Sequence, residues 1–154
     1  MLRVWRLCRR RYAAHAFDGE GARLYGGRWN TPGVAVVYTS ATVSLAALEA
    51  FVHVDGEDAP ADLVVIPVEI PDALAVREIA PGELPRNWRT TPAPPALQRL
   101  GNDWARALET PLLSVPSAVV PQERNYILNP THPDVSRLKI GTPEPFSFDP
   151  RLWK

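Results

Sequence analysis

Between Gly26 and His53 three side chains of different chemistry lie close together in the chain: Arg28, Tyr38 and Glu49. A guanidinium can grip an oxyanion through two N–H groups. A tyrosine ring offers a face to a cation, and a carboxylate can stabilise positive charge. Whether one ligand can meet all three depends on the elements that carry them. Val34-Ala35-Val36-Val37-Tyr38 is a β-branched and aromatic run that reads as a buried strand. Thr31-Pro32-Gly33 before it is turn chemistry, which makes Gly26-Gly27-Arg28-Trp29-Asn30 the incoming strand. In such a hairpin Arg28 lies opposite Val36, and Tyr38 is its diagonal neighbour at roughly 7–8 Å, within reach of one ligand. A slip of one residue would put the two on opposite faces.

Thr39-Ser40-Ala41-Thr42 then supplies N-cap residues for a helix from Val43 to His53. Leu45, Leu48, Phe51 and Val52 fit a buried stripe on it. Glu49 shares a face with Leu45 and His53. Spacing alone favours a solvated helix residue for Glu49, and it equally allows Arg28 on a strand surface and Tyr38 in the core.

The rest of the chain reads as one compact unit. Its 154 residues are 45% hydrophobic and 22% charged, enough for a single domain over 1–154 with a real core. Lys plus Arg and Asp plus Glu both number 17, so no broad basic footprint for nucleic acid exists. The lone Cys8 can form no internal disulfide. His15, His53 and His132 are scattered without metal-ligand spacing, so no metal is expected. No serine carries the glycine pattern of a nucleophile elbow. Five arginines punctuate Met1 to Tyr12, unlike a secretory leader, and no apolar run approaches the ~20 residues that span a bilayer. The expectation is a cytoplasmic protein.

Leu2 to Cys8 alternates apolar and basic residues, as an edge or half-buried strand would, with Arg3 and Arg6 on opposite faces. Asp62 to Ile70 is a strand interrupted by Pro67, which marks an edge or a bulge. Pro81 to Pro95 holds five prolines and Trp88, an ordered wrapping loop. Leu97, Leu100, Trp104, Ala107 and Leu108 recur at helical spacing after Pro94-Pro95. Leu112 to Val120 is a strand broken at Pro116, with Ser117 just beyond, either a pocket-facing donor or a plain strand serine. Leu138-Lys139-Ile140 and Pro145 to Asp149 close the chain as short strands. Short strands and a few helices, segregated rather than alternating, make an α+β fold.

Gly19-Glu20-Gly21-Ala22, Gly26 to Gly33, Val37-Tyr38-Thr39-Ser40 and Leu45-Ala46-Ala47-Leu48-Glu49 together resemble the RES domain family, as does the tail Glu123 to Asp134. The resemblance covers nearly the whole chain. The family is named for an Arg, a Glu and a Ser, which correspond here to Arg28, Glu49 and Ser117. It implies a diphtheria-toxin-like ADP-ribosyltransferase fold, a split mixed β-sheet around a cleft that grips NAD+, with NAD+ as substrate and no cofactor. By the same mapping Glu49 is the electrostatic catalyst, Tyr38 the wall on which nicotinamide stacks, and Arg28 the phosphate or ribose clamp. Ser117 would orient the nicotinamide ribose or Arg28, and Arg6 would belong to the substrate pocket. The family further implies a toxin that destroys NAD+ by hydrolysis or phosphorolysis. Its partner would be an Xre-like antitoxin that binds DNA itself and covers the cleft, in a homodimer or larger complex. A transferase modifying a protein target, and a non-catalytic NAD-binding module, are the rival expectations.

Overall fold

The computed structural model describes residues 1–153. Eight strands form one mixed sheet: β1 (Leu2–Arg9), β2 (Val37–Ser40), β3 (Leu63–Ile70), β4 (Val76–Glu78), β5 (Leu112–Pro116), β6 (Arg124–Leu128), β7 (Lys139–Ile140) and β8 (Glu144–Phe146). Three α-helices accompany them: α1 (Glu20–Tyr25), α2 (Val43–Phe51) and α3 (Pro95–Ala107). The strand order is β4-β5-β6-β2-β1-β3-β7, with β8 also on β3. Only the β4–β5 pair is parallel. The expected α+β architecture with a mixed sheet and few helices is what the chain adopts.

The sheet has two well-paired halves and a weak seam. β1 and β3 pair along their whole length, from Leu2↔Ile70 to Arg9↔Leu63. On the other side β6 pairs with both β5 and β2. Between the halves β1 meets β2 through a single residue pair, Trp5↔Ser40. β1 is therefore an interior strand, not an edge, and its two flanks diverge next to Arg6. Its alternating charges have uses that sequence alone leaves open: Arg3 meets Glu69 at 2.8 Å, whereas Arg6 is drawn inward.

Pro67 does not interrupt β3. Its carbonyl accepts from Gly141 N at 2.8 Å, which places the backbone polar edge of this residue on the outer side of the strand. There the missing N–H falls in the gap between β8 (against Leu63–Val65) and β7 (against Val68–Glu69), so no ladder bond is lost.

The expected incoming strand over Gly26–Asn30 is not formed. After α1, Gly26 takes a left-handed φ of 72°, and a tight turn follows, closed by Gly27 N donating to Asn30 O at 3.0 Å. Arg28 therefore has no cross-strand partner at Val36, and regular pairing begins only at Val37. The reason is that side chains satisfy the backbone here, the Tyr38 hydroxyl accepting from Trp29 N at 3.0 Å and Gln98 donating to Gly27 O at 3.1 Å, so no partner strand is needed. The buried Asn30 amide donates to Ala22 O and Val34 O, and Asn102 of α3 brackets Thr31 through both its N–H and its hydroxyl.

α3 carries much of the larger core. Leu97 and Trp104 are buried as expected, but Leu108 is exposed and the inward face runs instead through Gly101, Asn102 and Ala105. Gly101 is required: a Cβ there would lie 1.7 Å from the Trp29 carbonyl oxygen. On α2 only Leu45 and Ala46 are fully buried, while Leu48 and Val52 face out. Phe51 packs on Phe148 and Trp153 from the C-terminal segment. Thr42 caps α2, its Oγ1 accepting from Leu45 N at 3.0 Å.

Candidate functional site

Where β1 and β2 diverge, a cleft of about 900 Å³ opens, within the size range of small-molecule sites. β1 supplies Arg6, the turn after α1 supplies Arg28, β2 supplies Tyr38, and α2 supplies Glu49 from above. Thus four of the five expected site residues line one cavity although the predicted hairpin is absent. Ser117, the fifth, is fully buried behind it.

Glu49 is half-buried, and one of its oxygens is held from behind. Ser117 Oγ donates to Glu49 Oε1 at 2.6 Å, and Asn125 Nδ2 donates to the same oxygen at 2.7 Å. Ser117 Oγ in turn accepts from Val119 N at 3.1 Å and Val120 N at 3.0 Å. With two N–H groups pointing at it, the hydroxyl has only its proton to offer, and that proton goes to the carboxylate. The expectation that Ser117 orients Arg28 or reaches a ribose is not what its position allows: it touches Glu49. The hydroxyl sits there because β5 ends at Pro116 and the chain turns back through 117–120.

Arg28 spans from the turn to the proline-rich loop. Nη1 donates to Trp88 O at 3.1 Å and Thr90 O at 2.8 Å, and Nη2 to Thr91 Oγ1 at 3.2 Å. Three of five N–H groups are so engaged. Nε–H and the second Nη2–H have no partner among the described residues, which leaves two donors for phosphate or carboxylate. Partial burial lowers the pKa of Arg28 and the facing Glu49 charge raises it, though an arginine stays protonated throughout.

Tyr38 is pinned. Its OH donates to Asn30 Oδ1 at 2.6 Å and accepts from Trp29 N at 3.0 Å, while its ring packs against Gly27, where a Cβ would fall 2.7 Å from the hydroxyl oxygen. Burial drives the pKa of the phenol up, so it remains neutral. The ring can act as a wall, but the hydroxyl serves the turn rather than the cleft.

Arg6 is a buried and poorly satisfied charge. Nη1 donates to Tyr38 O at 3.1 Å, standing in for the strand pairing that the diverging β1 does not supply. Nε is fully enclosed and has no partner, the one such buried side-chain atom among the described residues. Desolvation lowers the pKa of this guanidinium, with Cys8 and Asp18 offsetting it only from a distance. A buried cation without a carboxylate in contact is costly unless an anion completes it. Arg89 adds a third guanidinium to the cleft from the proline-rich loop, anchored by Nε to Ala118 O at 2.9 Å.

Three contributors escape a reading by residue type. Asn125 and Ser40 are polar residues in short strands, and nothing in a two-residue period distinguishes a network member from a surface position. Asn30 looks like ordinary turn chemistry, yet it is completely buried and organises the turn that carries Arg28. All three lie within segments that carry the family resemblance: Asn30 in Gly26–Gly33, Ser40 in Val37–Ser40 and Asn125 in Glu123–Asp134.

The family model described as "RES domain" matches residues 3–149, nearly the whole chain. The chain belongs to the RES domain family. Its similarity to curated relatives runs end to end. It is 40% identical over 152 residues to the Prs ADP-ribosylating toxin of Sphingobium sp. (strain YBL2), covering 96% of this chain and 94% of that protein. To Toxin Res of Yersinia enterocolitica it is 39% identical over 150 residues, covering 97% and 98%. Among solved structures it resembles one from the crystal structure of the M. tuberculosis MbcT–MbcA toxin–antitoxin complex, with a TM-score of 0.77 at 19% identity over 99% of this chain and 86% of that one. That last likeness establishes a shared fold. In this RES domain, then, an Arg, a Tyr and a Glu meet at one cleft, and the Ser backs the Glu.

Proposed function

We propose that this RES domain is the toxin half of a toxin–antitoxin pair and that it cleaves the nicotinamide–ribose bond of NAD+ on a diphtheria-toxin-like ADP-ribosyltransferase fold. The observation that carries this reading is Glu49: one carboxylate oxygen is fixed by Ser117 and Asn125, and the other has no partner among the described residues, in a cleft that also holds Arg6 and Arg28. In this reading the glycosidic C–N bond breaks, nicotinamide leaves as a neutral base, and the ribose passes through an oxocarbenium-like state. The carboxylate stabilises that charge at the moment it forms. The free donors of Arg28 and the enclosed Arg6 take the two phosphates, and the Tyr38 ring flanks the departing base. Water or inorganic phosphate then bonds to the ribose carbon and gives up a proton, forming ADP-ribose or its phosphorylated counterpart. Depletion of NAD+ in the cytoplasm would arrest growth. An antitoxin, of Xre type by family resemblance, would cover the cleft; the fold shared with a chain from a toxin–antitoxin complex supports such a partner.

A second reading, transfer of ADP-ribose to a protein, is favoured by the name of the Sphingobium relative. It uses the same bond cleavage and differs in the acceptor. Proton NMR of the purified protein with NAD+, with and without phosphate, separates the two. Nicotinamide release from protein alone supports hydrolysis or phosphorolysis, and dependence on phosphate names the acceptor. Release only after a target protein is added supports transfer. No binding of NAD+ at all would overturn both.

A further inference from the structure

Behind Glu49 the hydrogen bonds form a directed chain that nothing so far explains. Ser40 on β2 and Asn125 on β6 are direct cross-strand partners. Ser40 Oγ donates to Asn125 Oδ1 at 2.7 Å, and Asn125 Nδ2 donates to Glu49 Oε1 at 2.7 Å. Ser40 is buried, so its hydroxyl is spent on the amide and not on solvent. An Asn side chain can present either its oxygen or its nitrogen to a neighbour. Here an ionised carboxylate accepts only, and the serine hydroxyl occupies Oδ1, so both ends of the amide select the same orientation. Together with Ser117, whose proton is aimed by two backbone N–H groups, this puts two directed donors on one carboxylate oxygen.

We infer that Asn125, held by Ser40, is a positioning residue that fixes the Glu49 carboxylate so that its second oxygen faces the ribose. The inference rests on the NAD+ reading above and adds to it a residue and a mechanism. Two donors on Oε1 lock the carboxylate's rotation about its last side-chain bond, which is otherwise broad. A locked carboxylate is preorganised, and preorganisation acts on the transition state more than on ground-state binding. Asn125 belongs to a well-paired strand between β2 and β5, so the donor itself stands on a rigid element.

The test compares nicotinamide release and NAD+ KM for wild type, Asn125→Ala, Asn125→Asp and Ser40→Ala. Loss of the donor in Asn125→Ala is expected to lower kcat about 10- to 100-fold, the range of one charge-assisted hydrogen bond, with KM within about threefold. Asn125→Asp keeps size and shape but turns the donor into an anion facing Glu49, and it is expected to be at least about tenfold slower than the alanine variant. A packing role predicts the reverse order, because Asp fills the space that Ala leaves empty. Ser40→Ala frees the amide to turn over and is expected to lower kcat severalfold with KM unchanged. It decides the matter should Asn125→Asp fail to fold by its melting curve. An Asn125→Asp protein as fast as or faster than Asn125→Ala, or unchanged kcat in Ser40→Ala, overturns the inference. Failure of the wild type to bind NAD+ at all would instead overturn the NAD+ reading, so the two failures are distinct.

Discussion

Glu49→Gln is the substitution whose outcome the structure predicts most sharply. The shell on Oε1 consists of donors only, Ser117 Oγ and Asn125 Nδ2. A glutamine carbonyl oxygen accepts both bonds as the carboxylate does, which turns its NH2 group into the cleft. Shape and packing are therefore kept, and stability should stay within about 1 kcal/mol of wild type, because no buried group loses its partner. What changes is the charge facing the cleft. A carboxylate about 4 Å from a developing unit charge, at an effective dielectric of about 20, contributes about 4 kcal/mol. At about 1.4 kcal/mol per decade that is roughly a thousandfold in kcat. In bound NAD+ the positive charge resides on the nicotinamide ring and has not yet moved to the ribose, so the dissociation constant should change far less, about tenfold at most. The assay is nicotinamide release followed by NMR, with calorimetric titration of NAD+ alongside. If Glu49→Gln retains more than about a tenth of wild-type turnover, the electrostatic role of Glu49 is refuted. If it loses binding and turnover equally, the residue is a ligand anchor and the transition-state argument fails.

Other outcomes follow from the turn that carries Arg28. Gly27→Ala places a methyl group 2.7 Å from the Tyr38 oxygen; a turnover loss of at least about tenfold, with the melting temperature lowered by several degrees, is expected from displacement of that ring. Tyr38→Phe keeps the wall but strands Asn30 Oδ1 and Trp29 N, costing about 2–4 kcal/mol in urea denaturation. The phenol also has a pH signature. Its folded-state pKa lies above the ordinary value of 10.0, so the folded protein keeps a proton that the unfolded chain releases. The stability from this group is complete below about pH 10 and falls as pH rises beyond it. Urea midpoints between pH 9 and 11 should therefore drop in wild type more steeply than in Tyr38→Phe; equal slopes would show that Tyr38 is not buried.

How far the sequence discloses this molecule depends on which forces act at each position. Strand and helix composition locates β1, β2, β3, β5, α2 and α3, because burial of apolar residues dominates there, whereas β6 over Arg124–Leu128 goes unread as a strand. The same rules fail over Gly26–Asn30, where the Tyr38 hydroxyl accepts from Trp29 N and Gln98 donates to Gly27 O, so side chains and not a second strand satisfy the backbone. Side-chain capture of main-chain groups leaves no period to detect. Arg28 and Tyr38 still converge, but through the turn and not through register. The exposure of Leu48 and Val52 shows the opposite failure, since their helical spacing is right and nothing covers that face among the described residues. Ser117 was identifiable as a family residue, yet its task was not, because its direction depends on the backbone of Val119 and Val120 closing around it. Networks of this kind are properties of three dimensions: Ser40, Glu49, Ser117 and Asn125 come from four separate segments.

Arg6 poses the clearest conflict between stability and function, and that conflict can be measured. Its Nε is enclosed without a partner, and no carboxylate among the described residues lies in contact with the guanidinium. Evolution of stability alone would favour an apolar side chain of similar length, since replacing a poorly compensated buried charge is often neutral or stabilising. Arg6→Met makes that replacement. It removes one donor from Tyr38 O, a cost of about 1 kcal/mol, and relieves the desolvated cation, a gain of similar or larger size. The unliganded variant should thus melt within a few degrees of wild type or above it. Binding should suffer, because an anion seated against an enclosed guanidinium is worth about 1.5–3 kcal/mol, or roughly 10- to 100-fold in the dissociation constant. Measured in the Glu49→Gln background, where NAD+ persists through the titration, the affinity reports binding alone. Weaker binding with preserved stability marks Arg6 as a charge kept for its ligand. Unchanged affinity with a stability loss above about 3 kcal/mol would show instead that Arg6 serves as the strut between β1 and β2, and that the phosphates lie elsewhere.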